Sequence, residues 1–97
     1  MTKKKILKNI KEIETKIKEK GNEKSLMDAL FICFTYIYKI QASLVVPFFG
    51  YQLFIQNGDV YQIKDADGKE VAKTINKKLR GLDGKAVNVK EFILSIV

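Results

Sequence analysis

The chain has 97 residues, of which 46% are hydrophobic and 10% aromatic, and this fits one small globular domain spanning residues 1–97. It has no histidine and one cysteine, Cys33, which argues against histidine-dependent nucleophilic catalysis, internal disulfides and the usual zinc sites. Eighteen basic residues against 11 acidic ones give a net charge of +7, so the expected partner is nucleic acid or an acidic protein surface. We therefore expect a non-enzymatic binding protein without a metal or a cofactor.

Lysine supplies all the basic residues except Arg80. Because arginine is the better bidentate reader of guanine and phosphate, this composition disfavours sequence-specific recognition of bases. Contact with the phosphate backbone needs only positive charge and is compatible with lysine. Abundant lysine and isoleucine also follow from an A+T-rich genome, which is the competing explanation of the charge.

Residues 2–20 have the pattern of a basic amphipathic helix. Thr2 suits the N-cap position, and Gly21 is a signal for the helix to stop. Four isoleucines recur at helical spacing on one narrow stripe: Ile6, Ile10, Ile13 and Ile17. Residues 1–20 hold eight lysines against three glutamates, a local charge of +5. Because this start contains no apolar signal-peptide core, we expect a cytoplasmic protein.

Residues 25–46 form the apolar centre of the chain, and we predict a helix there. Ser25 and Asp28 have the spacing of a capping box, and such a helix would be apolar almost all round. The alternative is a strand over residues 30–46, since Phe, Ile, Thr and Tyr favour strands. A helix this apolar predicts a homodimer through residues 26–46. A membrane span is disfavoured, because Lys39 would lie in the middle of it.

After Pro47 the hydrophobic period changes to two, which predicts an antiparallel meander. Turns at Asn57-Gly58 and Asp67-Gly68 separate three strands. The segment that follows is either a short helix ending at Gly81 or a fourth strand. Asn88 then has capping-box spacing to Glu91, which predicts a short C-terminal helix. The predicted fold is therefore α+β: a basic amphipathic helix, an apolar central helix, three to four antiparallel strands and a short final helix.

Two lysine-rich segments provide the candidate residues for binding nucleic acid or another partner. The first set is Lys3, Lys4, Lys5, Lys8 and Lys11. The second set is Lys73, Lys77, Lys78, Arg80 and Lys85, which a compact fold could place beside the first helix. An ordinary solvated lysine surface is the alternative interpretation of both sets.

A turn rich in aromatic residues follows the central segment and offers Phe48, Phe49 and Tyr51 as possible anchors for a partner. We favour a core role for them, because a domain of this size needs its large side chains inside. The leading functional hypothesis is binding of nucleic acid, or of a nucleic-acid-bound complex, without sequence readout. The alternative is a small phage- or mobile-element-type inhibitor or adaptor that docks through this turn or a sheet edge. Membrane association is less favoured.

Overall fold

The structure is a computed structural model that describes residues 2–97. Two helices come first, α1 (Lys3–Lys20) and α2 (Lys24–Lys39). Five strands follow, and their bounds are β1 (Leu44–Phe48), β2 (Tyr51–Gln56), β3 (Asp59–Lys64), β4 (Glu70–Ile75) and β5 (Lys78–Gly81). Helix α3 (Val89–Ile96) closes the chain. The α+β class predicted from the sequence is confirmed.

The five strands form one antiparallel sheet in the order β1-β2-β3-β4-β5, so every strand pairs with its neighbour in sequence. The predicted turns at Asn57-Gly58 and Asp67-Gly68 connect β2 to β3 and β3 to β4. The segment before Gly81 is strand β5, as in the strand alternative, and the sheet has one strand more than the predicted maximum of four. The additional strand is β1, which begins inside the segment predicted to be helical.

Helix α2 ends at Lys39, seven residues before the predicted end. Leu44–Phe48 pairs with β2 instead, and Pro47 is tolerated there because β1 lies at the edge of the sheet. The predicted capping box is also wrong, since the N-cap is Glu23 and makes no side-chain capping bond. Asp28 instead accepts a hydrogen bond from Lys24 Nζ at 2.9 Å.

Helix α2 is buried along one side only, and not all round as expected for a central helix. It buries a single stripe, composed of Met27, Leu30, Cys33 and Ile37. Its other sides expose large side chains, and Ile32 and Tyr38 each keep 56% of their surface accessible. The helix therefore shares a layer with α1 and is not the centre of the core. Within residues 2–97, no helix combines the length and apolarity required to cross a membrane.

The core lies between the helices and one face of the sheet. Its fully buried large side chains come from all three helices and from the first three strands, and they are Ile6, Ile10, Leu30, Ile37, Val46, Phe48, Leu53, Ile63 and Ile93. Burial of each such side chain contributes about 2 kcal/mol to folding. Along β1 and β2 the inward positions alternate with exposed ones, which leaves the second face of the sheet to solvent.

The predicted helix ends are confirmed where polar side chains make the cap. Thr2 Oγ1 accepts a hydrogen bond from the Lys5 N–H at 3.2 Å, and Gly21 ends α1 with φ of +85°. Asn88 Oδ1 accepts from the Glu91 N–H at 3.1 Å and starts α3. The Thr2 and Asn88 side chains each supply a hydrogen-bond acceptor to a backbone N–H that has no partner within the first turn of its helix.

Candidate functional site

The first predicted set of lysines lies on the exposed surface of α1. We refer to Lys3, Lys4, Lys5, Lys8 and Lys11 as the α1 lysine cluster, and all five are exposed. No acidic residue precedes Glu12 in the chain. In the described part of the chain, none of the five lies within salt-bridge distance of a carboxylate. The cluster is therefore a source of uncompensated positive charge.

Helical geometry aligns part of this cluster. Lys4, Lys8 and Lys11 are separated by four and three residues, so they project from the same side of α1 over about 10 Å. The buried stripe of Ile6, Ile10 and Ile17 lies on another side and holds the helix against α2 and β1. The same 3.6-residue repeat thus docks the helix and exposes the lysines.

A hydrogen bond at the start of the β1–β2 turn fixes the position of α1. The Glu14 carboxylate accepts this bond from the Phe49 N–H at 2.5 Å, and the group is partly buried. Lys18 Nζ lies 3.8 Å from the same carboxylate and 5.3 Å from the centre of the Phe49 ring. The lysine cluster is therefore carried by a helix that is attached to the sheet by polar as well as apolar contacts.

The second predicted set lies at the opposite edge of the sheet. Lys73 is on β4, Lys77 is in the β4–β5 turn, Lys78 and Arg80 are on β5, and Lys85 is in the loop that follows. Helix α1 contacts β1, which is four strand spacings, or about 19 Å, from β5. The structure thus does not bring the second set beside α1, and the two sets lie at opposite edges of the sheet.

Of the aromatic residues at the β1–β2 turn, Phe48 is buried in the core, whereas Phe49 and Tyr51 are partly buried and pack against it. Phe48 keeps only 1% of its surface accessible, and its ring meets that of Phe49 edge-on at 4.8 Å. Tyr51 makes a similar contact with Phe92 of α3 at 5.2 Å. Phe48 therefore has the core role that the sequence favours, and Phe49 and Tyr51 pack at the edge of the core. Phe48 is not available to a partner.

The sequence interpretation missed an aromatic and basic group on the solvent face of the sheet. Phe54 and Tyr61 lie there with ring centres 6.3 Å apart, and Lys64 Nζ is 5.2 Å from the centre of the Phe54 ring. Simple alternation would place Tyr61 on the same side as the buried Ile63. A β-bulge opposite Phe54 and Ile55 breaks that alternation and turns Tyr61 outward.

Cys33 is buried in α2. Burial raises the pKa of the Cys33 thiol, because the thiolate is poorly solvated there. A nucleophilic cysteine requires the opposite environment, one that is accessible and electropositive. Its position therefore fits a role in packing.

The surface features described for residues 2–97 are thus the α1 lysine cluster, the basic residues of β4 and β5, and the Phe54–Tyr61 ring pair. Comparison of the chain with protein-family models, with curated proteins and with solved structures finds no match.

Proposed function

We propose that this chain is a non-enzymatic protein that binds the phosphate backbone of nucleic acid without reading its sequence. The observation that carries the proposal is the α1 lysine cluster: five exposed lysines within nine residues and no acidic residue among them. Contacts of this kind release counterions from nucleic acid and carry little sequence information. The near absence of arginine agrees with a backbone-directed interaction.

The first turn of α1 adds to this argument. It holds Lys3, Lys4 and Lys5 and no acidic residue, although the helix dipole favours negative charge at that end. A bound phosphate would supply the missing negative charge and relieve the repulsion among these lysines. The local electrostatic cost in the free protein therefore becomes a gain in the complex.

The test measures binding of a labelled duplex of about 20 base pairs by fluorescence anisotropy. The salt concentration is varied between about 50 and 200 mM, a range over which phosphate contacts lose much of their affinity. The variant K4Q/K8Q/K11Q should bind more weakly, and the slope of log K against log salt should become shallower by about 2 to 3. The control K77Q/K78Q/K85Q removes the same net charge from the opposite edge of the sheet.

If the control loses less affinity for the duplex than the α1 variant does, the result supports a defined site on α1. Equal losses would show that net charge alone drives binding. The proposal fails if the wild-type protein does not bind the duplex at the lowest salt concentration.

The alternative function, protein–protein regulation through the aromatic turn or a sheet edge, has less support. Phe48 is buried, and Pro47 removes one hydrogen-bond donor from the edge strand β1.

A further protein partner is expected on α2, where a groove between α1 and α2 is lined by Ile13, Ile32 and Tyr36. We propose that a second copy of the chain covers this groove.

The charges beside the groove favour a symmetric dimer. Glu12 and Lys16 flank it one helical turn apart on α1, and neither makes a salt bridge within residues 2–97. A two-fold rotation about the groove can set Glu12 of one copy opposite Lys16 of the other. Light scattering should give a dimer for the wild type and a monomer for Ile32→Glu, with Leu94→Glu on exposed α3 as the control. A monomeric wild type at micromolar concentration would reject this assembly.

A further inference from the structure

The solvent face of the sheet connects the two sets of basic residues. One cross-strand row runs from β1 to β5 and consists of Val45, Phe54, Gln62, Lys73 and Arg80. Lys11 of the α1 lysine cluster lines a groove together with Val45 and Pro47, at the β1 end of this row. A continuous surface about 19 Å long therefore leads from α1 to Arg80.

The middle of this surface presents an accessible aromatic ring. Tyr61 keeps 38% of its surface exposed and is supported on one side by Phe54. The β-bulge that turns Tyr61 outward is held by a hydrogen bond from Thr74 Oγ1 to the Tyr61 carbonyl at 2.9 Å. A ring fixed in this way on a sheet offers a flat face to a nucleobase at a small entropic cost.

The charges around the ring suit an anionic chain. Lys64, Lys73 and Arg80 lie on this face, as does the carboxylate of Glu70. That carboxylate accepts a hydrogen bond from Gln62 Nε2 at 2.7 Å and lies 3.7 Å from Lys73 Nζ. Arg80 Nη1 donates to the Gly84 carbonyl at 2.9 Å, which leaves the guanidinium its charge. Three cations against this one carboxylate give the face a net positive charge.

We propose that the solvent face of the sheet binds a single-stranded nucleic acid, with a base stacked on Tyr61 and phosphates near Lys64, Lys73 and Arg80. Duplex bases are paired and stacked on one another, so only an unpaired strand can offer a base face to this ring. The inference rests on the proposed function and names its substrate class. The strand continues over the β1 edge to the α1 lysine cluster.

The experiment compares a labelled twelve-nucleotide oligothymidine with a duplex of equal length, by anisotropy at a fixed low salt concentration. Tyr61→Leu should weaken binding of the single strand by at least about fivefold, the lower end of one lost stacking contact. The affinity of the Tyr61→Leu variant for the duplex should change less than twofold. Tyr38→Leu is the control, because Tyr38 is a more exposed tyrosine on α2, outside the solvent face of the sheet.

Tyr61→Phe separates loss of the ring from loss of the fold. It keeps the aromatic face and should bind the single strand within twofold of wild type, whereas Tyr61→Leu should not. Circular dichroism of each variant checks that the sheet is retained. Equal single-strand binding by Tyr61→Leu and wild type would overturn the inference.

The α1 variant distinguishes this failure from failure of the proposed function. If Tyr61→Leu has no effect but K4Q/K8Q/K11Q weakens binding of both ligands, only the sheet-face site is rejected. If wild-type protein binds neither ligand, both proposals are rejected.

Discussion

Glu14 and Phe49, 35 residues apart in the chain, are joined by a hydrogen bond from the Phe49 N–H to the Glu14 carboxylate. The bond links the C-terminal half of α1 to the two-residue turn between β1 and β2. In that turn Phe49 adopts φ of +48°, a conformation that costs a non-glycine residue energy. The carboxylate therefore stabilises a strained turn as well as the position of the helix.

Glu14→Gln should lower the free energy of unfolding by about 1 to 2 kcal/mol, since a partly buried charge-assisted bond becomes neutral or is lost. Urea unfolding followed by circular dichroism measures the change. Glu19→Gln is the matched control, because Glu19 is exposed on the same helix and should alter stability by less than about 0.5 kcal/mol. Equal effects of the two substitutions would show that the Glu14–Phe49 bond contributes nothing.

Gly58→Ala should destabilise the protein by at least about 2 kcal/mol more than Gly50→Ala. Both glycines have positive φ, +85° and +81°, so both substitutions carry the same backbone penalty. A Cβ atom at Gly58 would also lie 2.8 Å from the Tyr38 Cα, whereas one at Gly50 would meet no atom within 4 Å. The difference in urea midpoint isolates the contact between the β2–β3 turn and the end of α2. Equal urea midpoints for the two variants would mean that α2 and the turn move apart to accommodate the methyl group at no measurable cost.

Lys77→Gly should raise the free energy of unfolding by about 1 kcal/mol, because Lys77 adopts φ of +66° in the β4–β5 turn and glycine has no penalty there. The thermal midpoint should rise accordingly. Lys69→Gly removes the same charge at a position without positive φ, and it should leave stability unchanged or lower it. A gain of similar size at both positions would point to relief of charge rather than of backbone strain.

Cys33 should react slowly with iodoacetamide in the folded protein and rapidly in urea. Burial shields the thiol and raises its pKa, so little thiolate forms near neutral pH. Because the folded-state pKa lies above that of the unfolded chain, its contribution to stability is fully present below the unfolded-state pKa. That contribution is lost as the pH rises through the folded-state pKa. Cys33→Ala should abolish this part of the alkaline loss, and rapid labelling of the native protein would contradict the buried position.

Several elements could be predicted because their signals are local. Thr2 and Asn88 sit directly before the helices that they cap, and Asn57-Gly58 is a turn whose two residues tolerate positive φ. The predicted end of α2 is too late, because the apolar residues of segment 30–46 fit the helical period and the strand period equally well. Tertiary pairing with β2 decides that Leu44–Phe48 is a strand.

The remaining misses share a physical cause, since they depend on backbone details without a residue signature. The β4–β5 turn is formed by Asn76 and Lys77 without glycine, so strand β5 lacked the usual hairpin signal. The orientation of Tyr61 depends on a bulge that one extra residue creates between paired strands. The solvent face of the sheet could therefore be assembled only from the strand register.

The nearest-neighbour order of the five strands also bears on how the chain reaches this fold. Each strand pairs with the next across a connection of two to five residues, so closing each hairpin costs little chain entropy. Such local pairing gives a low contact order, which favours rapid folding compared with sandwiches of similar size. The Glu14–Phe49 bond spans a much longer loop, so we expect α1 to dock after the hairpins have formed.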